Sequence, residues 1–353
     1  KINFKNNLLL IDFLDYEKKE GSNSLVSISG ILKENDQLRF NLINLKEKNN
    51  EISIKDLDLS KNSKIINIKN FYVNYRNNKN ILNKFNLKKE NSKFILEGES
   101  FDASSMINDI MDKDNEDSSI FKNLNSKIKI KIKKVYIDDI NYMNNLYGNI
   151  NFDNNKVSDL NLDSTFPNNK KINLSVKAIS ESETITKLFS SYPKPLIKRY
   201  DFIKGFEEGF LDFYSSKKDG VSNSVLIIDN FKVKEVPIFA KLLTLASLQG
   251  IADLLTGEGI RFTDFEMSFS NKGSLTTIDE LYAIGPAVSL LMDGYIESKK
   301  LISLRGTLVP ATTINRSIAS IPLLGKILIG KKSGEGVLGV SFKIKGPPKN
   351  LKT

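Results

Sequence analysis

Apolar and polar residues alternate with a period of two along most of this chain. Lys127, Lys129, Lys131 and Lys133 interleave with Ile128, Ile130 and Ile132. An extended strand directs those two sets to opposite faces. The phase slips at Lys134, after which Val135 and Ile137 carry the apolar face, and the slip predicts a bulge there. The alternation recurs at Val26/Ile28/Gly30/Leu32, Phe94/Leu96/Gly98, Leu146/Gly148/Ile150/Phe152 and Ile172/Leu174/Val176/Ala178. It continues at Val225/Ile227/Asp229/Phe231/Val233, Phe265/Met267/Phe269, Ile302/Leu304/Gly306/Leu308 and Leu338/Val340/Phe342/Ile344. Turn-forming stretches such as "RNNKN", "DNNK" and "PNNKK" separate the runs. An Asp or Asn followed by Phe recurs at Asp12-Phe13, Asn70-Phe71, Asn230-Phe231 and Asp264-Phe265, too irregularly for a short-period solenoid. The pattern predicts a mainly β protein of successive long antiparallel strands, each with one wet face and one apolar face.

Few segments read as helical. "FDASSMINDIMDK" offers Asp102 as an N-cap and Ile107, Ile110 and Met111 as an apolar face. Glu181 to Tyr192, ended by Pro193 and Pro195, is a second candidate. The strongest is "VPIFAKLLTLASLQGIADLLTG", with Pro237 suited to the first turn and Gly257 to the C-terminal stop. Its broad apolar face includes Leu242 and Leu245, and Lys241, Gln249 and Asp253 interrupt it, so it is not a membrane span. Such a helix either packs on a sheet or lines an apolar groove.

Composition divides the chain. Residues 1–180 hold 34 Asn and 4 Gly, whereas residues 181–353 hold 5 Asn and 16 Gly. The division predicts an Asn-rich repeated-strand region over 1–180 and a second region over 181–353 that contains helix 237–256 and the closing strands. The net charge of +10 splits evenly, +5 on each side, with no basic arm. That spread argues for a solvated basic surface and against a nucleic-acid site. The chain starts at Lys1 and reads as an excerpt of a longer protein.

Catalytic chemistry finds little support. Cys, His and Trp are absent, which removes disulfides, thiolates and the commonest general base and metal ligand. Gly334-x-Gly336-x-x-Gly339 has dinucleotide spacing, but "VLGVSFKIKG" reads as a strand where a helix is required. Gly325-x-x-x-x-Gly330-Lys331 is followed by Lys332, not Ser or Thr. These glycines fit tight turns and close approach at a strand entry. "DKDNEDSSIFKN" resembles a calcium loop at Asp112, Asp114 and Glu116, yet Asp117 stands where Gly is needed and Asn123 where Glu is needed. Glu207/Glu208 and Asp138/Asp139 are neighbours that a strand would point to opposite faces. No catalytic residue, metal ligand or cofactor is predicted.

From "VPIFAKLLTLASLQGIADLLTGEGIRFTDFEMSF" onward the chain resembles the C-terminal region of the AsmA-like proteins of Gram-negative bacteria, the YhdP and TamB group. "IGPAVSLLMDGYIE", "LRGTLVPATTIN" and "IPLLGKILIG…GEGVLGVSFKIKGPPKN" follow in the order of that family's segments. The specific likeness covers roughly residues 225–350, and over 1–180 it is architectural. The resemblance implies a long antiparallel sheet bent into a trough with an apolar interior. It also implies a periplasmic location, an inner-membrane anchor outside this chain, and passage of phospholipid between inner and outer membranes. On that reading Leu242, Leu245, Leu304, Leu308, Leu324, Leu328, Val340 and Phe342 are the candidate lipid contacts. The partners expected are phospholipid and, through segments outside the chain, membrane, but not nucleic acid. Two other classes stay open: a structural or scaffold β protein with a closed core, and a binder of nucleic acid or anionic surfaces that uses the +10 charge.

Overall fold

A computed structural model describes residues 1–33, 37–105, 107, 124–197, 205–234, 240, 243, 257–298, 300–310, 339–348 and 350–352. The protein is mainly β, and it divides into two compact units, Lys1–Ala178 and Ile179–Thr353. Among the described residues no helix is long and apolar enough to cross a membrane, which says nothing of strands.

The first unit opens with β1 (Ile2–Asn3) and a separate hairpin, β2 (Leu9–Ile11) with β3 (Tyr16–Lys18). Then come β4 (Leu25–Leu32), β5 (Leu38–Glu47), β6 (Asn50–Leu59), β7 (Ile65–Arg76), β8 (Leu82–Glu90) and β9 (Lys93–Asp102). They are followed by β10 (Ser126–Tyr136), β11 (Tyr142–Asp153), β12 (Lys156–Phe166) and β13 (Lys170–Ala178). Each strand from β4 to β13 pairs with its successor, and β1 pairs with β4. All these pairings are antiparallel except one: β9 and β10 run parallel, Ile128 beside Phe94. This departs from the uniformly antiparallel expectation. The connection between the two strands is long enough for the crossover a parallel pair requires.

The second unit is a meander of β14 (Glu183–Ser190), β15 (Glu207–Lys218), β16 (Val221–Val233), β17 (Ile260–Lys272), β18 (Leu275–Ile284), β19 (Val288–Glu297), β20 (Leu301–Pro310) and β21 (Val340–Gly346). Every successive pair is antiparallel. The helix expected over Glu181–Tyr192 is therefore strand β14. Thr184, Ile185 and Thr186 are β-branched and disfavour a helix, and a helical turn follows at Lys194–Ile197. Asp102 does cap a helical turn, its Oδ1 accepting from the Ser104 N–H at 3.0 Å. Of the strongest helix candidate only Ala240 and Leu243 lie within the described residues, and both are helical. The calcium-like loop, the glycines at 325, 330, 334 and 336, and Leu242, Leu245, Leu324 and Leu328 lie outside the described residues.

The phase slip near Lys134 is shared between strands. Along β10 the pairing resumes without insertion, Ile132 opposite Leu146 and Lys134 opposite Asn144. The irregularities sit in its neighbours: between Lys84 and Phe85 on the β8–β9 ladder, and between Asn144 and Tyr147 on the β11–β12 ladder. Asn145, opposite Lys133, is left-handed at φ 53°. Ile132 and Val135 consequently share one buried cluster with Met143 and Leu146. Asp56 (φ 48°) in β6 and Asn230 (φ 52°) in β16 act alike. Phe40/Ile43, Ile54/Leu57 and Ile68/Phe71 flank Asp56 on three adjacent strands and meet in one cluster. Ile228/Phe231 and Phe262/Phe265 flank Asn230 in another. Asn and Asp are the non-glycine residues that enter this backbone region at least cost.

The turns account for the change in composition. Left-handed residues at turns of the first unit include Asn80, Asn91, Asn154, Asn155, Asn168 and Asn169, whereas the second unit uses Gly220, Gly259 and Gly273. Glycines inside strands serve a different need. A Cβ on Gly148 would lie 1.9 Å from the Asn161 carbonyl oxygen, at φ +152°. Gly148→Ala is expected to cost at least about 2 kcal/mol. Gly220→Ala, at φ +78° with nothing within 4 Å, should cost only about 1 kcal/mol. Chemical denaturation of the two variants checks both.

Candidate functional site

In each unit the alternation yields one sheet face that stays apolar from strand to strand. Across the first unit the register aligns Ile28 with Ile43, Ile43 with Ile54, and Ile54 with Phe71. The row continues through Leu87, Leu96, Ile130 and Gly148 to Leu162 and Leu174. The opposite face carries exposed Lys127, Lys129, Lys131 and Lys133. In the second unit Leu304 of β20 faces with Ile344 of β21, Gly306 with Phe342, and Leu308 with Val340. The same face runs through Met292, Leu281, Met267, Leu226 and Phe213 to Leu188. Along β14 to β16 it turns polar at Thr186, Ser215 and Ser224, where the Ser224 hydroxyl donates to Ser215 at 2.8 Å.

Part of each face is sealed. In the second unit Leu243, Leu308 and Val288 are fully buried in one cluster with Ile197 and Ile228. Phe206, Phe231 and Phe262 stack there at centroid spacings of 5.3 and 5.4 Å. In the first unit the turn and hairpin at Leu14 and Tyr16 lie against Leu45, Ile52, Val73, Tyr75 and Phe85. The Tyr16 and Tyr75 rings meet edge-on at 5.2 Å.

Polar bonds fasten that hairpin to the sheet. The Tyr75 hydroxyl donates to the Leu14 carbonyl. Asn77 Nδ2 donates to Asp15 at 3.2 Å and to Asp102 at 2.8 Å, and Asn78 donates to Glu17 at 2.8 Å. The fully buried Lys18 ammonium donates to the Asn7 carbonyl at 2.6 Å and the Lys5 carbonyl at 3.1 Å. The Tyr16 hydroxyl donates to Glu47 at 2.7 Å, and Ser22 and Asn50 donate to the same carboxylate. Burial by itself pushes the Glu47 carboxyl up, but these three hydrogen bonds and the Lys18 charge outweigh it and hold it below its ordinary value. Burial, and then the bond to Glu47, push the Tyr16 phenol far up, so it stays a donor.

Elsewhere the faces mix buried residues, among them Leu57, Ile68, Phe94, Ile130 and Ile132, with half-buried ones that pack beside the buried clusters. Ile43, Ile54, Phe71, Leu96, Ile128, Ile150 and Leu162 sit on interior strands of the first unit, yet none is fully enclosed. In the second unit Leu226, Met267, Leu290, Met292, Leu304 and Phe342 are in the same state. Of the candidate lipid contacts, the structure brings Leu304, Leu308 and Phe342 together around the Leu243 cluster, with Leu308 at 0% exposure. Val340 shares their face but is 37% exposed. The candidates all come from the second region. The half-buried row of the first unit was missed as a site, although its alternation is the signal that marks it. Among the described residues no group of three acidic side chains could hold a metal ion.

Comparison with known proteins yields no match: no family model, no curated protein and no solved structure corresponds to the chain.

Two predictions follow from the seals. Leu308→Asp places an unpaired charge in a closed cluster and should cost about 4 kcal/mol or more, whereas Val340→Asp should cost under about 1 kcal/mol; thermal melts separate them. Because the folded carboxyl of Glu47 titrates below the unfolded value of about 4.3, its contribution is complete above that pH. It is lost as pH falls through the folded value. Hydrogen-exchange protection at Tyr16 and Lys18 should therefore fall on acidification. In Glu47→Gln it should be low already at neutral pH and change little with acid.

Proposed function

We propose that the half-buried apolar faces hold the acyl chains of phospholipid, and that the protein carries lipid without transforming it. The observation that carries this reading is the row of large apolar side chains on interior strands, many of them only half-buried beside the packed clusters. An acyl chain in water costs about 25 cal/mol for each Å² of apolar surface it exposes. A strand face lined by Ile54, Phe71, Leu96, Ile128, Ile150 and Leu162 removes that cost for the chains while the headgroup stays in water. Sliding along the row breaks no bond and needs no catalytic group.

The ordered segments that resemble the AsmA-like C-terminal region support the same reading. They extend it to a trough-shaped sheet in the periplasm of a Gram-negative bacterium, anchored to the inner membrane by segments outside this chain. There it would pass phospholipid between the two membranes and support outer-membrane biogenesis. Leu304, Leu308, Val340 and Phe342 then line the path in the second unit, with Leu242, Leu245, Leu324 and Leu328 as its further contacts.

The test is native mass spectrometry of gently purified protein, with Ile54→Asp/Ile150→Asp beside the wild type. Phospholipid should accompany the wild type at more than trace stoichiometry. The variant should keep a nearly unchanged melting temperature and lose most of that lipid. A lipid-free wild type, or a variant whose melting transition collapses, identifies a structural β protein with a closed core instead.

A further inference from the structure

The seal of the first unit lies at one end of its strands, and the opposite end is built differently. There Leu32 pairs with Leu38, Leu38 with Leu59, and Leu59 with Ile65. This apolar row ends the apolar face at the turns. Its β4–β5 end is exposed to water, with Leu32 67% accessible and Leu38 37%, while Leu59 and Ile65 are half-buried; the adjacent Ile31 and Ile66 are 59% and 41% accessible. Monomeric surfaces seldom gather large apolar residues in this way without a contact to make.

Lysines outnumber carboxylates around the row. The turn between β6 and β7 carries Lys61 and Lys64, the facing ends of β8 and β9 carry Lys88, Lys89 and Lys93 with Glu90, and the residues joining β4 to β5 include Lys33, Glu34 and Asp36. Of these lysines all but Lys33 are exposed. Between these turns opens a cavity of about 430 Å³, walled on one part by Ile65, Ile66, Ile68, Phe94 and Leu124 and on the other by Asn67, Asn91 and Asn125, with Lys89 among its lining residues. Lys89 Nζ stands 5.9 Å from the Phe94 ring centroid and donates to Asn67 at 2.6 Å. Apolar tips beside a surplus of ammonium groups match the boundary between acyl chains and anionic headgroups.

We propose that this end of the first unit docks on an anionic lipid bilayer, with Leu32, Leu38 and Ile66 entering the headgroup layer and the lysines pairing with phosphates. The proposal rests on the lipid-carrying reading only for its purpose, which is to bring the cavity mouth to a membrane. The docking itself stands on the exposed apolar residues and the charge beside them. An acidic protein surface would satisfy the lysines but would leave four apolar side chains against polar groups.

The experiment is flotation of the full chain with vesicles of phosphatidylglycerol and phosphatidylcholine, and with phosphatidylcholine alone. Binding should require the anionic lipid and weaken with salt. Lys61→Glu/Lys64→Glu/Lys93→Glu should lower partitioning at least about ten-fold, since each lysine near such a surface contributes roughly five-fold. Leu32→Asp/Ile66→Asp should lower it comparably, and Lys61→Arg/Lys64→Arg/Lys93→Arg should retain it. Because the whole chain is basic, Lys19→Glu/Lys48→Glu/Lys170→Glu, three exposed lysines away from this end, serves as control and should change partitioning less than about three-fold. Equal losses in rim and control variants overturn the proposal, as does wild-type protein that floats with neither vesicle or with both alike. A chain that floats through its rim but carries no lipid keeps the docking and removes the carrier reading. A lipid-loaded chain that does not float does the reverse.

Discussion

A β-strand has two faces, and a slip of one residue exchanges them. Everything else in this protein depends on keeping the apolar face in phase from strand to strand. The register does so even where the alternation breaks, because the breaks are aligned. Around Asp56 three neighbouring strands change phase together, so Phe40, Leu57 and Ile68 on one side and Ile43, Ile54 and Phe71 on the other stay on one face. Asn145 and Asn230 are the corresponding points elsewhere. A slip in one strand alone would carry lysines such as Lys131 or Lys133 onto the greasy side and isoleucines into water.

The same face is treated in two ways. Where it is closed, aromatic contacts and polar latches close it: Tyr16 and Tyr75 edge-on, Tyr75 bonded to Leu14, Tyr16 to Glu47. The latch makes the hairpin's position specific, because Lys18 and Glu47 are too costly to bury without these partners. Where the face is not closed, the side chains are equally apolar but only half-buried. A docking rim at the far end and a carrying surface between rim and hairpin seal would be successive parts of one lipid path.

Much of this was legible in the residues. The alternation at Val26 to Leu32, Phe94 to Gly98 and Leu146 to Phe152 names the apolar face directly, and the irregular step after Ile132 marks the phase change. The Asn-to-Gly shift in composition has a backbone meaning, since both residues occupy left-handed turn positions such as Asn154/Asn155 and Gly220. Other features were not legible. Glu183–Ser190 reads as helix or strand when its apolar residues are counted, and pairing with β15 decides for strand. The parallel joint between β9 and β10 leaves no mark on either strand. The Asp/Asn-Phe repeat is not one structural position: Asp12 starts a 3-10 turn, while Asn70, Asn230 and Asp264 lie within strands.

The sequence by itself determined the strand content and the two faces, because period, residue type and turn chemistry act over a few neighbouring residues. Only the tertiary structure decided which apolar residues are sealed and which are left half-open. Leu304, Leu308 and Val340 are alike in kind and in alternation. Leu308 is buried in the cluster that holds Leu243, and Val340, its direct partner, is exposed. Tyr75 meets a carbonyl 61 positions away. Burial of this sort depends on which distant segment arrives over a face, and no local pattern of apolar and polar residues encodes that.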